Sequence, residues 1–112
     1  MNEIIATSHF LCVRPNGERL DVAAQLGRPY QTAAGDWACP VSLHPLQSRL
    51  VDIHGANSLQ ALCLAASLLR SLLRHFTEEG GAILHPREES AVELDAIFSE
   101  IGLNRLSTRG HS

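Results

Sequence analysis

Two arginines in the second half of the chain, Arg70 and Arg74, are spaced for anion binding. Residues four positions apart lie on the same face of a helix, so the two guanidinium groups can form a fork that takes a carboxylate or a phosphate. Pairing with nearby glutamates at the surface is the more common role of such arginines. The sequence therefore predicts either an anion site or ordinary surface ion pairs here.

The segment Gly35-Asp36-Trp37 holds the only tryptophan of the chain beside a carboxylate. Tryptophan is enriched at binding hot spots because it offers a large contact area. It also closes the open end of a small core, and this structural role is the one we favour for Trp37 taken alone. Together with Arg70 and Arg74, the residues Asp36 and Trp37 are the candidates for binding a partner or a ligand.

No group of residues has the spacing of a metal site or a catalytic site. The closest set is Cys39, His44 and His54, with Asp52, whereas zinc sites have ligands paired two to four positions apart. Cys63 lies on the polar side of the predicted long helix near two arginines, where positive charge favours a thiolate, but nothing in the sequence brings a histidine base beside it. We therefore predict no metal site, no cofactor and no catalytic residue.

Composition limits the classes of function. The chain has 112 residues, of which 45% are hydrophobic and 19% charged, and its net charge is −3. This length predicts one small domain. All nine basic residues are arginine, which excludes Schiff-base and P-loop chemistry because both require lysine. The mildly acidic balance disfavours nucleic acid as a ligand, since nucleic-acid-binding surfaces are basic.

Export signals and membrane spans are the sequence features that bear on cellular location. We find no N-terminal export signal and no apolar stretch of the roughly 20 residues that a membrane span needs. The three cysteines, Cys12, Cys39 and Cys63, are not spaced as a disulfide framework and fit reduced, buried thiols. We expect a cytoplasmic protein that binds no membrane.

Alternating hydrophobicity predicts three or four antiparallel strands in the first half of the chain. Residues 4–13 and 19–26 form a hairpin around the turn at Pro15-Asn16-Gly17. After a loop at 31–35, a third strand spans 37–43, where Pro40 predicts an edge position or a bulge. A short strand at 50–53 is the optional fourth member of this meander.

From Asn57 the hydrophobic period changes to 3.6, which predicts a helix that begins at an Asn57 cap and ends near Thr77. Its apolar residues cover more than half of the circumference, whereas a helix lying on one sheet needs a stripe of about 100°. We therefore expect a second packing surface for this helix, either the last helix or a second copy of the protein.

A brief strand at 82–85 and a shorter helix at 91–101 follow, and the helix begins with the capping-box residues 90–93. The predicted fold is α+β: an antiparallel three- to four-stranded β-meander packed against one long helix, with a shorter C-terminal helix. Residues 1–103 form this single domain. Residues 104–112 form a flexible tail, because little besides Leu106 anchors them.

Several short segments carry a resemblance to a known family: Asn16-Gly17-Glu18-Arg19, Gly27-Arg28-Pro29, Gly35-Asp36-Trp37-Ala38-Cys39-Pro40 and Gly55-Ala56-Asn57-Ser58-Leu59-Gln60-Ala61-Leu62. With the leucine-rich helix, they make residues 5–76 similar to a family of small uncharacterised bacterial proteins. Asn57 stands where aspartate is common in that family, which keeps the capping chemistry. The resemblance implies a strand meander leading into the helix and a bacterial cytoplasmic origin, and it implies no catalytic residue.

Two functions of different classes fit these observations. The first is a non-enzymatic protein-interaction module, and specifically an immunity protein that neutralises a toxin, because an acidic face can occlude a basic toxin site. The second is a homodimeric small-ligand-binding protein or minor enzyme, with a pocket between sheet and long helix near Asp36, Trp37, Arg70 and Arg74. In that case the wide apolar face of the helix forms part of the dimer seam.

Overall fold

The computed structural model describes residues 3–47 and 50–98, and its fold is α+β as predicted. These residues form seven strands, arranged in two antiparallel sheets with the orders β5-β2-β1-β7 and β3-β4-β6, and two helices. The elements are β1 Ile4–Val13, β2 Arg19–Gly27, β3 Tyr30–Gln31, β4 Trp37–Cys39, β5 Val41–His44, β6 Ile53–Gly55, α1 Ser58–Glu78, β7 Ala82–Leu84 and α2 Leu94–Phe98.

The predicted hairpin of β1 and β2 is confirmed and forms the centre of the larger sheet. Gly17, in the left-handed region with φ of +91°, donates its N–H to the carbonyl of Arg14 and closes the turn. Phe10 lies opposite Val22 in the register, and both side chains are buried against α1. This face of the sheet supplies one side of the core.

The predicted third strand is divided at Pro40. Proline has no N–H to give to a ladder, and the residues on its two sides belong to different sheets: β4 pairs with β3 and β6, whereas β5 pairs with β2. The carbonyl of Pro40 accepts the N–H of Gly27 at 2.8 Å, which joins the two sheets at this corner. Two further details differ from prediction: Tyr30 and Gln31 form the short strand β3, and the strand expected at 50–53 is β6, at Ile53–Gly55.

Helix α1 begins and ends where the period predicts. The side chain of Asn57 accepts the N–H of Gln60 at 2.8 Å, and the side chain of Gln60 accepts the N–H of Ala56 at 2.6 Å, which is a variant of the capping box. A stripe of residues spaced four apart is fully buried: Ala61, Ala65, Leu69 and Leu73. The helix contacts strands of both sheets as well as α2. The second surface for its wide apolar face is therefore in part the last helix, as predicted, but mainly the smaller sheet, which was not predicted.

The beginning of the last helix was predicted wrongly. Val92 donates its N–H to the carbonyl of Ile83, and Ala91 forms a bridge with Leu84, so the chain is still extended where the capping box predicts helix. Helix α2 therefore begins at Leu94. The predicted helix end at residue 101, the domain limit at 103 and the tail at 104–112 lie outside the described residues.

The cysteines agree with prediction at two positions of three. All are free thiols. Cys12 and Cys39 are buried, and burial raises the pKa of Cys12 to about 11 and also raises that of Cys39. Cys63 is exposed on α1, so its predicted burial is wrong. Neither helix in the described part of the chain has the length and apolar character to cross a bilayer.

Candidate functional site

An open groove lies where the first turn of α1 meets the smaller sheet. It has a volume of about 400 Å³ and is lined by Arg28, Pro29, Trp37, Ser58, Leu59 and Leu62; we call it the Trp37 groove. Trp37 is half-buried and packs against the core, whereas Leu59 leaves 68% of its surface exposed. Trp37 thus fills the edge of the core, as we favour from the sequence, and also lines a surface concavity.

A glycine allows the smaller sheet to approach the helix at this place. Gly55 lies opposite Trp37 in the ladder, and a Cβ atom added to Gly55 would be only 2.6 Å from the backbone nitrogen of Ala61. Strand β6 can therefore lie directly against the first turn of α1 because residue 55 has no side chain. This close approach lies next to the Trp37 groove, since Gly55 pairs with Trp37.

Asp36 precedes Trp37 but takes part in a polar network on the opposite face of the smaller sheet. One carboxylate oxygen of Asp36 accepts a hydrogen bond from the hydroxyl of Thr32, and the other is 2.7 Å from Nδ1 of His54. These two bonds, the Thr32 bond above all, lower the pKa of Asp36. The hydroxyl of Tyr30 donates to Asp52 at 2.5 Å, and this bond raises the pKa of Tyr30. We call these five residues the outer-face network.

In the outer-face network, the carboxylate of Asp36 orients the imidazole of His54. Carboxylates orient the histidines of many catalytic and metal sites in the same way. Of the other residues considered with His54 as metal ligands, Asp52 belongs to this network through its bond to Tyr30, whereas Cys39 and His44 do not. Cys39 is buried, with its thiol directed to the carbonyl of Gly27, and His44 belongs to the larger sheet. Within 3–47 and 50–98 there is no group of three or more histidine, cysteine or acidic side chains that could hold a metal ion.

The arginine fork forms at the other end of α1 and already holds a carboxylate of the same chain. Arg70 and Arg74 each donate from Nη2 to Oδ1 of Asp95, at 2.9 Å in both cases. The hydrogen bond from Arg70 is the main cause of a lowered pKa at Asp95, and the two positive charges act in the same direction. The fork thus fastens α2 to α1, and its partner is Asp95 rather than a neighbouring glutamate.

Comparison with known protein families gives a match to the model described as Domain of unknown function (DUF6968), over residues 7–93. The chain belongs to this family. The expected resemblance to an uncharacterised family is thereby confirmed. No curated protein and no solved structure matches the DUF6968 chain. The matched segment contains the Trp37 groove and both arginines of the fork but ends two residues before Asp95.

The structure of the DUF6968 chain divides the four predicted site residues among three places. Trp37 lines the groove, Asp36 belongs to the outer-face network, and the two arginines bind Asp95. Leu62 and Arg70 are eight residues apart, which is about 12 Å along a helix. The four residues therefore do not line one shared pocket. A binding role for each of them stays a prediction.

Several residues of these places are not predicted as partners or lining residues by the sequence. Thr32 binds Asp36 across a turn, four residues away. His54 binds Asp36 from another part of the smaller sheet, and Asp95 reaches the arginines from another helix. Such contacts depend on strand register and helix packing, which no local spacing records. Leu59 at the mouth of the groove had a signal: it is a leucine in the first turn of a helix whose apolar face is too wide for one sheet.

Proposed function

We propose that the chain is a non-enzymatic protein-interaction module that binds a partner protein through the Trp37 groove. The observation that carries this proposal is the exposure of Leu59, 68% of whose surface faces solvent beside Trp37 and Arg28. Tryptophan and arginine are the residue types most enriched at interface hot spots, and an apolar side chain at the mouth of a concavity gains most from being covered. The groove also lies wholly within the segment that matches the family.

Within this class, we propose an immunity protein that binds and neutralises a toxin in the cytoplasm. The net charge of −3 supports a basic partner, because complementary charge speeds association and favours the right partner over others. Arg28, the one charged residue among the described residues that line the groove, already pairs with Glu3 at 3.3 Å, so the groove itself presents no excess positive charge to such a partner. A basic surface that presents an apolar residue to the Trp37 groove is the partner that this arrangement fits.

The test is a matched pair of leucine substitutions. Leu59→Ser removes the apolar side chain from the mouth of the groove, whereas Leu64→Ser removes a leucine, 44% exposed, from another part of α1. We expect Leu59→Ser to weaken binding to the product of a toxin gene encoded beside this one by about tenfold or more, and Leu64→Ser to leave it within about twofold. Isothermal titration calorimetry with the purified toxin measures both.

A second measurement follows protection in cells. Wild-type chain and the Leu64→Ser variant should rescue growth when the neighbouring toxin is expressed, and Leu59→Ser should rescue poorly. Equal loss of affinity in both variants contradicts the placement of the interface in the groove. Cells that lack this gene and remain insensitive to every neighbouring toxin contradict the immunity function itself.

The alternative function, a homodimeric small-ligand-binding protein or minor enzyme, is favoured by one observation. The lining of the Trp37 groove combines apolar side chains with one guanidinium, that of Arg28, as small-molecule sites combine an apolar lining with a few polar groups. A small molecule that binds the wild-type chain and not the Leu59→Ser variant, in the absence of any toxin binding, would support this alternative over the immunity function.

A further inference from the structure

The longest free strand edge among the described residues lies in the first half of β1. Strand β2 covers one side of β1 along its whole length, but β7 covers the other side only at Leu11, Cys12 and Val13. Between residues 6 and 10, no strand in the described part of the chain pairs with this second side. The backbone N–H and C=O groups that point outward there need another β-strand, or water, as their partner.

The other sheet edges are short, and most are bounded by proline. Strand β5 lies between Pro40 and Pro45, β3 has two residues and follows Pro29, and β7 is followed by Pro86. The stretch 19–22 of β2, which β5 leaves unpaired, is guarded by the charges of Arg19 and Asp21. Strand β6 has three residues and carries the outer-face network. Short strands and prolines are the usual means by which proteins prevent an edge from pairing with another chain.

The free edge of β1 has none of these protections. The stretch 6–10 reads Ala-Thr-Ser-His-Phe and contains no proline, no glycine and no Asp, Glu, Lys or Arg. Directly before it, Ile4 and Ile5 are each 47% exposed. An unguarded edge of this kind next to exposed apolar side chains is typical of a strand that pairs with another strand.

We propose that this edge pairs with the same edge of a second copy of the chain. The two β1 strands run antiparallel around a two-fold axis at Ser8, so that Ala6 lies opposite Phe10 and Thr7 opposite His9 of the other copy. The stretch 6–10 contains no Asp, Glu, Lys or Arg, so no such charges lie opposite each other in this ladder. The dimer would join the two four-stranded sheets into one sheet of eight strands and satisfy the outward backbone groups of both copies.

The limits of the free stretch support self-pairing over pairing with an unrelated strand. On one side the stretch ends where β7 begins to cover β1, at Leu11. On the other side the register with β2 shifts between Ile4 and Ala6, and an irregularity of this kind interrupts a regular ladder. In an antiparallel self-pair about Ser8, the irregular end of one copy lies opposite the β7-covered end of the other, so the same five residues, 6–10, form the ladder in both copies.

This inference does not rest on the proposed function, because the residues of the free edge do not line the Trp37 groove. A Leu59→Ser variant should still dimerise, and a monomeric edge variant should still bind a partner at the groove. Failure of either proposal therefore leaves the other unaffected.

The test compares two threonine-to-lysine substitutions in the full chain. Thr7→Lys places a charge in the middle of the free edge, and Thr77→Lys makes the same change at an exposed position on α1. We expect wild type and Thr77→Lys to have twice the monomer mass of 12.2 kDa in analytical ultracentrifugation, and Thr7→Lys to raise the dimer dissociation constant at least about tenfold. Circular dichroism checks that each variant is folded.

Hydrogen exchange of backbone amides in residues 6–10 locates the contact. We expect slow exchange in the wild-type dimer at both outward- and inward-facing amides of this stretch, and fast exchange of the outward-facing ones in Thr7→Lys. If Thr7→Lys does not fold, His9→Glu serves as the second variant, because His9 is another exposed residue of the stretch. The expected result is the same. A monomeric wild-type chain, or a dimer that persists unchanged in a folded edge variant, would overturn the proposal.

Discussion

Side chains of the types that suit binding lie at both ends of α1, but the two ends differ in what covers these side chains. At the C-terminal end, Arg70 and Arg74 are held by Asp95 of α2, so the chain supplies its own partner. At the N-terminal end, Leu59 and Trp37 border a groove that is open to solvent. The difference shows that a residue type that suits binding indicates a binding surface only where the fold leaves it uncovered.

The largest expected effect on stability comes from the difference in burial between the two ends of α1. Leu73 is fully buried in the second half of α1, whereas Leu59 in the first turn is 68% exposed. We expect Leu73→Ala to lower the free energy of unfolding by about 3 kcal/mol, because it leaves a cavity in the core. Leu59→Ala should change it by less than about 0.5 kcal/mol. Urea unfolding followed by circular dichroism measures both, and equal losses would contradict the proposed openness of the groove.

The second prediction concerns a glycine beside each end of the helix. A Cβ added to Gly55 meets the backbone of Ala61, which cannot move without shifting the helix, whereas a Cβ added to Gly81 meets the ring of Phe76, which can rotate. We expect Gly55→Ala to destabilise the fold by about 2 kcal/mol and Gly81→Ala by about half of that. Thermal unfolding gives the order, and a larger loss for Gly81→Ala would reverse this interpretation.

The third prediction addresses the cap at the N-terminal end. Asn57→Ala removes the side-chain acceptor for the N–H of Gln60 and should cost about 1 kcal/mol of unfolding free energy. Asn57→Asp keeps an acceptor oxygen and is the control, with an expected change of a few tenths of a kcal/mol. If the two variants unfold at the same urea concentration, the hydrogen bond to Gln60 does not stabilise this end.

The smallest expected effect lies in the ion pairs at the C-terminal end, and it depends on pH. The pKa of Asp95 is lowered in the folded chain, mainly by Arg70, so its charge stabilises the fold at pH values above the ordinary value of 3.8. This stabilisation is lost as the pH falls through the lowered pKa. Asp95→Asn should therefore be less stable than wild type at neutral pH, and the two should converge in acid. Chemical unfolding at both pH values measures the difference, and a gap that persists in acid would contradict the role of the carboxylate charge.

Local patterns predict those parts of the fold that depend on neighbouring residues. The change of period at Asn57 predicts both the cap and the length of α1, and the turn before Gly17 predicts the hairpin. Prediction fails where a tertiary contact overrides a local signal. The capping box at residues 90–93 is correct in composition, but the hydrogen bond from Val92 to Ile83 keeps that segment extended.

The candidate site could be predicted only in its parts. Trp37 and the arginine pair are recognisable by residue type and spacing. His54 and Asp95, however, are 18 or more residues away in sequence from the side chains that they bind. Whether such residues meet depends on strand register and on the position of α2. Neither is determined by spacing along the chain.

The single tryptophan makes the Trp37 groove visible to spectroscopy without any label. Because no other indole contributes to the emission of the chain, a shift in its fluorescence maximum reports directly on whether the groove is filled. Cys63 is the one exposed thiol, one helical turn after Leu59, and accepts a fluorophore while Cys12 and Cys39 stay buried. The pair forms a donor and an acceptor for measuring energy transfer across the mouth of the groove as a partner binds.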